Sequence, residues 1–205
     1  MELGNAIVFI VDDDDAVRDS LRLLMKSVGL RARAFDSAES FLRSYRPETT
    51  GCLVLDIRMP GMSGIELQRE LARRHYSLPI IFITAHGDIP MAVEAVRNGA
   101  VDFVQKPFDD GELVAKIRGA LSESLQRQED DQERAEVRRR ASTLTARERE
   151  VMSQVVQGKA NKVIAGDLGV SQRTVEIHRA RVMEKMQAGS LAQLVRMVLI
   201  AEADI

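Results

Sequence analysis

Five side chains in the first 110 residues have the types and spacing for chemistry on a charged group. Asp12 and Asp13 close the apolar run at 7–11, and Asp56 closes the run at 52–55. Thr84 closes the run at 79–83, and Lys106 follows the run at 101–104. Where such runs are neighbouring parallel strands, residues just past their carboxyl ends meet along one edge of the sheet. Three carboxylates packed there repel one another and cost stability unless a cation neutralises them. Oxygen-only ligands with room for water favour Mg²⁺, with Mn²⁺ the alternative. A hydroxyl and an ammonium beside that site suit phosphoryl transfer, in which charge on three oxygens must be neutralised.

The elements that must position these residues follow from periodicity. The runs at 7–11, 52–55 and 79–83 are continuously apolar, as expected of strands buried on both faces, and Val101-Asp-Phe-Val104 reads as a further strand. The first is followed by a helix with Val17, Leu21, Leu24 and Val28 on one stripe, Asp15 as N-cap and Gly29 as stop. A weaker strand at 32–35 precedes a short helix capped by Ser37. The turn-rich stretch 58–64 leads to a helix with Ile65, Leu67 and Leu71, and Pro90 opens another that stops at Gly99. The last helix of the series uses Leu113, Ile117 and Leu121. Five βα units with short connections predict one parallel sheet, flavodoxin-like, with helices on both faces.

The 205 residues leave room for a second, smaller domain, and charge separates the two parts. Residues 1–120 carry 15 basic and 18 acidic side chains, whereas residues 143–201 carry 9 and 5. A basic back part fits a phosphate-rich partner. Between them, residues 122–141 are rich in Gln, Glu, Asp and Arg and read as a solvated helix continuing the fifth. They show no apolar seam for a coiled coil. The single Cys52 excludes an internal disulfide and a Cys-based zinc site. No stretch has the roughly 18 uncharged apolar residues of a membrane span. The acidic start Met1-Glu-Leu-Gly is unlike a basic secretory leader. A cytoplasmic protein with no membrane partner is expected.

From Leu144 onward the periodicity is helical. Thr145 can cap a helix to Gly158, with Glu148 completing a capping box. A short helix from Asn161 to Leu168 stops at Gly169, Ser171 caps a third to about Met186, and Ser190 caps a fourth. Ala165, then Gly169 four later, then Val175 six after that, is the helix-turn-helix spacing. The small residue allows close crossing, the glycine the left-handed turn, and the valine fills the gap between helices. The second helix of that pair presents Arg173, Thr174, Glu176, His178, Arg179, Arg181 and Lys185, types that contact phosphates and base edges.

The front constellation resembles the receiver domain of bacterial two-component response regulators. The motifs that carry it are Val11-Asp12-Asp13, Leu55-Asp56-Ile-Arg-Met-Pro-Gly-Met-Ser-Gly64, Ile83-Thr84-Ala85 and Lys106-Pro107-Phe108. The resemblance implies that Asp56 accepts a phosphoryl group from a sensor histidine kinase. It implies that Asp12, Asp13, Asp56 and the Arg58 backbone carbonyl hold Mg²⁺. Thr84 and Lys106 would engage the phosphoryl oxygens, Phe103 would act with Thr84 as a switch, and the peptide before Pro107 would be cis. Asp13-x-Asp15-x-Val17 also fits the first motif of haloacid-dehalogenase-like phosphatases. That family does not call for Asp56 before a Pro-Gly turn, and it needs a late acidic pair after an apolar strand, whereas Asp109-Asp110 follows Lys-Pro-Phe here. His86 reads as a solvated loop side chain.

The back part closely resembles the LuxR/FixJ-type DNA-binding domain, through Thr145-x-Arg147-Glu148-x-Glu150-Val151, Asn161-Lys162-x-Ile164-Ala165, Thr174-Val175-x-x-His178 and Lys185-Met186. This implies a recognition helix from Ser171 to Met186 in the major groove of promoter DNA. Glu176, Ile177 and Ala180 would face base edges, and Lys162, Arg173, Thr174, His178, Arg181 and Lys185 would meet or approach phosphate. The whole resembles a response regulator of the FixJ subgroup, a transcription factor rather than an enzyme. Its parts are then a receiver at 1–121, a helical linker at 122–141 and a DNA-binding domain at 142–205. Homodimerisation on phosphorylation and contact with RNA polymerase are implied. A DNA binder indifferent to phosphorylation is the alternative.

Overall fold

Alternation along the strands decides which side chains meet which helices. In a computed structural model, which describes residues 6–84 and 89–202, five parallel strands form one sheet in the order β2-β1-β3-β4-β5. The strands are β1 (Ile7–Val11), β2 (Arg31–Phe35), β3 (Gly51–Asp56), β4 (Ile80–Thr84) and β5 (Asp102–Gln105). Phe9, Leu53, Leu55 and Phe82 point to one face and pack with residues of α2 (Ala38–Ser44), α3 (Gly64–Arg73) and α4 (Ile89–Arg97). Val8, Ile10, Val54 and Ile81 point to the other, against α1 (Asp15–Ser27) and α5 (Asp110–Ser142). This is the period of two expected of a strand covered on both sides. Burial pushes the Cys52 thiol up to about 12, so it packs rather than reacts.

The start of α1 differs from expectation. Asp14, not Asp15, is the N-cap, its carboxylate accepting from the N–H groups of Ala16 and Val17. Asp15 is already helical, where its charge complements the helix N-terminus. The expectations for the first four residues and for His86 lie outside the described residues.

The chain divides into two compact units, Met1–Gln128 and Glu129–Ile205, and α5 contributes to each. Residues 122–128, expected in the linker, belong with the sheet. Ser124 is buried and accepts the Gly51 N–H at 3.2 Å, Leu125 is buried, and Gln128 hydrogen-bonds Thr50. Further along, Val137 is buried in the core of the second unit. Among the described residues no helix is long and apolar enough to cross a membrane.

The second unit consists of the end of α5 with α6 (Ala146–Val156), α7 (Asn161–Leu168), α8 (Gln172–Met186) and α9 (Leu191–Glu202). Val151, Val155, Ile164, Val175, Val182 and Leu194 fill its centre. Thr145 caps α6 in a reciprocal box with Glu148, as the spacing predicts. Gly169 sits at φ 65° between α7 and α8, the left-handed conformation the tight turn needs.

Candidate phosphoryl site and nucleic-acid interface

Parallel register brings the distant acidic residues to one sheet edge. Val11 lies beside Leu55, Asp56 beside Ile83 and Thr84 beside Gln105, so the residues that end β1, β3 and β4 and follow β5 share that edge. Lys106 joins them. Its ammonium donates to Asp12 Oδ2 at 2.9 Å and to Asp56 Oδ1 at 2.7 Å. The remaining oxygens are also engaged, Asp56 Oδ2 by the Arg58 N–H at 2.7 Å and Asp12 Oδ1 by the Asp14 N–H at 2.9 Å. The Lys106–Pro107 peptide is cis, as the resemblance implied.

One ammonium shared by two buried carboxylates leaves the charge unbalanced. Burial, reinforced by the nearby charge of Asp12, raises the Asp56 carboxyl above its ordinary value despite Lys106 and the Arg58 N–H. Burial works to lower the Lys106 ammonium, but its bonds to Asp12 and Asp56 prevail and raise it. Both Asp12 and Asp56 are buried, whereas Asp13 is exposed on the loop that follows β1. Among the described residues no three acidic, His or Cys side chains are already gathered about a metal position. The donor set nevertheless fits a hard dication, because two carboxylate oxygens converge on one cation and all donors are oxygens. Thr84 is fully buried, and its carbonyl accepts the Lys106 N–H at 2.8 Å. Phe103, beside Phe82 in register, is half-buried against the core on the α2–α3–α4 face.

Two side chains at this edge are not apparent from the sequence. Arg18 donates to the Asp12 carbonyl at 2.6 Å, and Glu39 of α2 accepts the Met62 N–H at 3.2 Å. A basic residue in the first turns of α1, against the helix dipole, is a usable signal for Arg18. The Glu39 contact is purely tertiary and has none.

In the second unit, α8 buries Val175, Val182 and Met186 and exposes Arg173, Ile177, Ala180 and Arg181 on the opposite side. Lys162 of α7 is exposed as well. Thr174 and Glu176 are half-buried. The Thr174 hydroxyl meets that of Ser171 at 2.8 Å, and Arg173 pairs with Glu176 at 3.4 Å. His178 is half-buried with its Nδ1 enclosed and lacking a hydrogen-bond partner. Arg179 is directed inward, donating to Asn161 Oδ1 at 3.1 Å and tying α8 to α7. Lys185 bonds Glu148 Oε2 at 2.6 Å and the Thr143 carbonyl at 3.2 Å, so it is committed inside the unit. That bond, followed by the Thr145 N–H, holds the buried Glu148 carboxyl down at about 2. The spacing shows Glu148 as a cap but does not show Lys185 as its partner.

Comparison with known proteins supports both halves. Residues 8–118 match the response regulator receiver domain, and residues 142–198 match the bacterial regulatory proteins of the luxR family. The chain is 50% identical over 194 residues to the transcriptional regulatory protein FixJ of Azorhizobium caulinodans, covering 95% of this chain and 92% of that one. It is also 50% identical over 192 residues to nodulation protein W of Bradyrhizobium diazoefficiens, covering 94% and 85%. Among solved structures, the response regulator StyR aligns with a TM-score of 0.87 at 46% identity, covering 95% of this chain and 98% of that one. Full-length FixJ from B. japonicum aligns with a TM-score of 0.59 at 41% identity, covering 97% and 98%.

Proposed function

The chain belongs to the FixJ subgroup of two-component response regulators, DNA-binding transcription factors whose receiver domain is phosphorylated by a cognate kinase, and we propose that its phosphoacceptor is Asp56. The observation that carries this assignment is the Lys106 ammonium bonded to both Asp12 and Asp56. An Asp56 carboxylate oxygen attacks phosphorus, and the bond from phosphorus to the donor nitrogen of the kinase's phosphohistidine breaks as the imidazole leaves. The product is an acyl phosphate on Asp56. Phosphorylation replaces one carboxylate charge by roughly two on the new group. Lys106, already 2.7 Å from Asp56 Oδ1, would pair with those oxygens, and turning to them would free Asp12.

Asp12, Asp13, Asp56 and the Arg58 carbonyl would hold Mg²⁺, the typical requirement of receiver domains. When bound, the dication neutralises charge on the transferring group. Asp13, exposed beside Asp12, would swing in to complete the set. Thr84, buried at the end of β4, would donate its hydroxyl to a phosphoryl oxygen. Phe103 on β5 would repack into the space that movement opens, a steric switch because it has no hydroxyl. Met91, Val93, Val96 and Val101 leave apolar surface on α4 and just before β5, which supports a dimer through the α4–β5–α5 face on phosphorylation.

On DNA, α8 would lie in the major groove. Glu176, Ile177 and Ala180 would be turned to bases, with Lys162, Arg173, Thr174, His178 and Arg181 at or near phosphate. Lys185 would reach phosphate only by leaving Glu148. Promoter-bound dimers would then act on RNA polymerase. The test is intact mass after incubation with a small acyl phosphate and Mg²⁺. Wild type gains one acid-stable, base-labile phosphoryl group and Asp56→Asn gains none. An adduct surviving in the variant would move the nucleophile elsewhere.

A further inference from the structure

We propose that Glu39, on α2 and outside the phosphoryl constellation, is a positioning residue. Its carboxylate holds the loop between β3 and α3 and thereby sets where the Arg58 backbone carbonyl stands for the metal. The inference rests on the assignment of Asp56 and Arg58 made above.

A carbonyl ligand has no side-chain torsions and can be aimed only through the path of its loop, so whatever holds the loop tunes the ligand. The ends of this loop are tied to the last residue of β3 and to the residue after it. The Arg58 N–H donates to Asp56 Oδ2 at 2.7 Å, and the Gly64 N–H donates to the Ile57 carbonyl at 3.0 Å. Gly64 sits so close that an added Cβ would stand 2.2 Å from the Asp56 carbonyl oxygen, which leaves that end no slack. The far side of the loop is held by α2, where the Met62 N–H donates to Glu39 Oε1 at 3.2 Å. Gly61 makes the approach possible. It adopts φ 75°, and a Cβ there would lie 3.1 Å from the same Glu39 oxygen. Two independent features of the loop, a backbone donor and a glycine, are thus shaped around one carboxylate oxygen from another element.

Length and charge can be separated in the full-length protein. Glu39→Gln keeps the chain length and an acceptor oxygen but removes the charge. Glu39→Asp keeps the charge but withdraws the oxygen by one carbon. Mn²⁺ affinity is measured by electron paramagnetic resonance of the free ion without phosphodonor. The Mg²⁺ dependence of phosphorylation by a small acyl phosphate is measured beside it. Glu39→Asp is expected to weaken Mn²⁺ about three- to tenfold and raise the half-saturating Mg²⁺ by the same factor, with Glu39→Gln within about twofold of wild type. Rates at saturating Mg²⁺ should stay close to wild type in both. Unchanged Mn²⁺ binding in Glu39→Asp, or an equal loss in Glu39→Gln, overturns the proposal. Wild type that binds no Mn²⁺ and takes no phosphoryl group overturns the assignment beneath it, a result distinct from either.

Discussion

Two lysines in this molecule meet buried carboxylates, with opposite consequences. In the sheet unit, Lys106 is divided between Asp12 and Asp56, and the Asp56 carboxyl is raised by burial and by its acidic neighbour. In the helical unit, Lys185 meets a single carboxylate, Glu148, with the Thr145 N–H as a second donor, and Glu148 is held at about 2. The first arrangement has more negative charge than it can neutralise, which suits a site that takes up a cation and a phosphoryl group. The second is balanced and complete, which suits structure. A buried ion pair is therefore no sign of function by itself; the surplus of carboxylate over cation is the sign.

The largest expected effect breaks the first arrangement. Lys106→Ala should slow phosphorylation by a small acyl phosphate about a hundredfold or more, the scale of losing one charged stabiliser of a developing oxyanion. It should also bind Mn²⁺ more tightly than wild type, because the ammonium no longer occupies the oxygens of Asp12 and Asp56. A purely structural Lys106 would lower both quantities, so tighter metal with slower transfer is the discriminating result.

The next effect belongs to the balanced pair. Glu148→Gln removes a charge-assisted bond and should lower hydrogen-exchange protection of α6 and α8 roughly tenfold at neutral pH. The sign of the pH dependence follows from the folded-state value of about 2 against an ordinary 4.5. A carboxyl depressed in the folded state contributes stability that is fully present above about pH 4.5 and is lost as pH falls toward 2. Wild-type protection in these helices should therefore decline across that window, and the part due to Glu148 should vanish in Glu148→Gln. An identical decline in both proteins would place the titrating group elsewhere.

The two regions also differ in how much of them is legible without coordinates. Asp12, Asp56, Thr84 and Lys106 lie far apart in the chain, yet each stands at or just past the end of a strand-like run. A parallel sheet converts that regularity into proximity, so the edge cluster can be read from the sequence. Capping and turn residues can be read too, because Ser37, Thr145, Gly169 and Ser171 act on their own neighbours. Contacts made across the fold by ordinary residue types cannot. Lys185 has the profile of a phosphate-binding lysine on an exposed helix, and only packing shows it bonded to Glu148, 37 residues earlier. Glu39 looks like any acidic residue near a helix start. The shift of residues 122–128 to the sheet unit has the same origin, since Ser124 and Gln128 look like linker residues until β3 and the residue before it supply their partners.

The smallest expected effect tests whether Lys185 stays committed when DNA arrives. Binding to phosphates releases counterions, and taking one basic side chain away from a phosphate lowers the slope of log affinity against log salt by about one. Arg181 is exposed on α8, opposite the buried valines, so Arg181→Ala should reduce that slope by about one and weaken binding uniformly across sequences. Lys185 is already neutralised by Glu148 at 2.6 Å, and moving to a phosphate would strand a buried carboxylate. Lys185→Ala should therefore leave the slope unchanged while lowering the stability of α6 and α8 as Glu148→Gln does. Filter binding or fluorescence anisotropy over a salt series, on one promoter fragment and one unrelated duplex, separates these outcomes. A slope reduced by one in Lys185→Ala would mean that the pair opens on DNA. The helical unit would then hold a shared lysine as the sheet unit does, and the contrast between the two regions would reduce to the number of carboxylates each must neutralise.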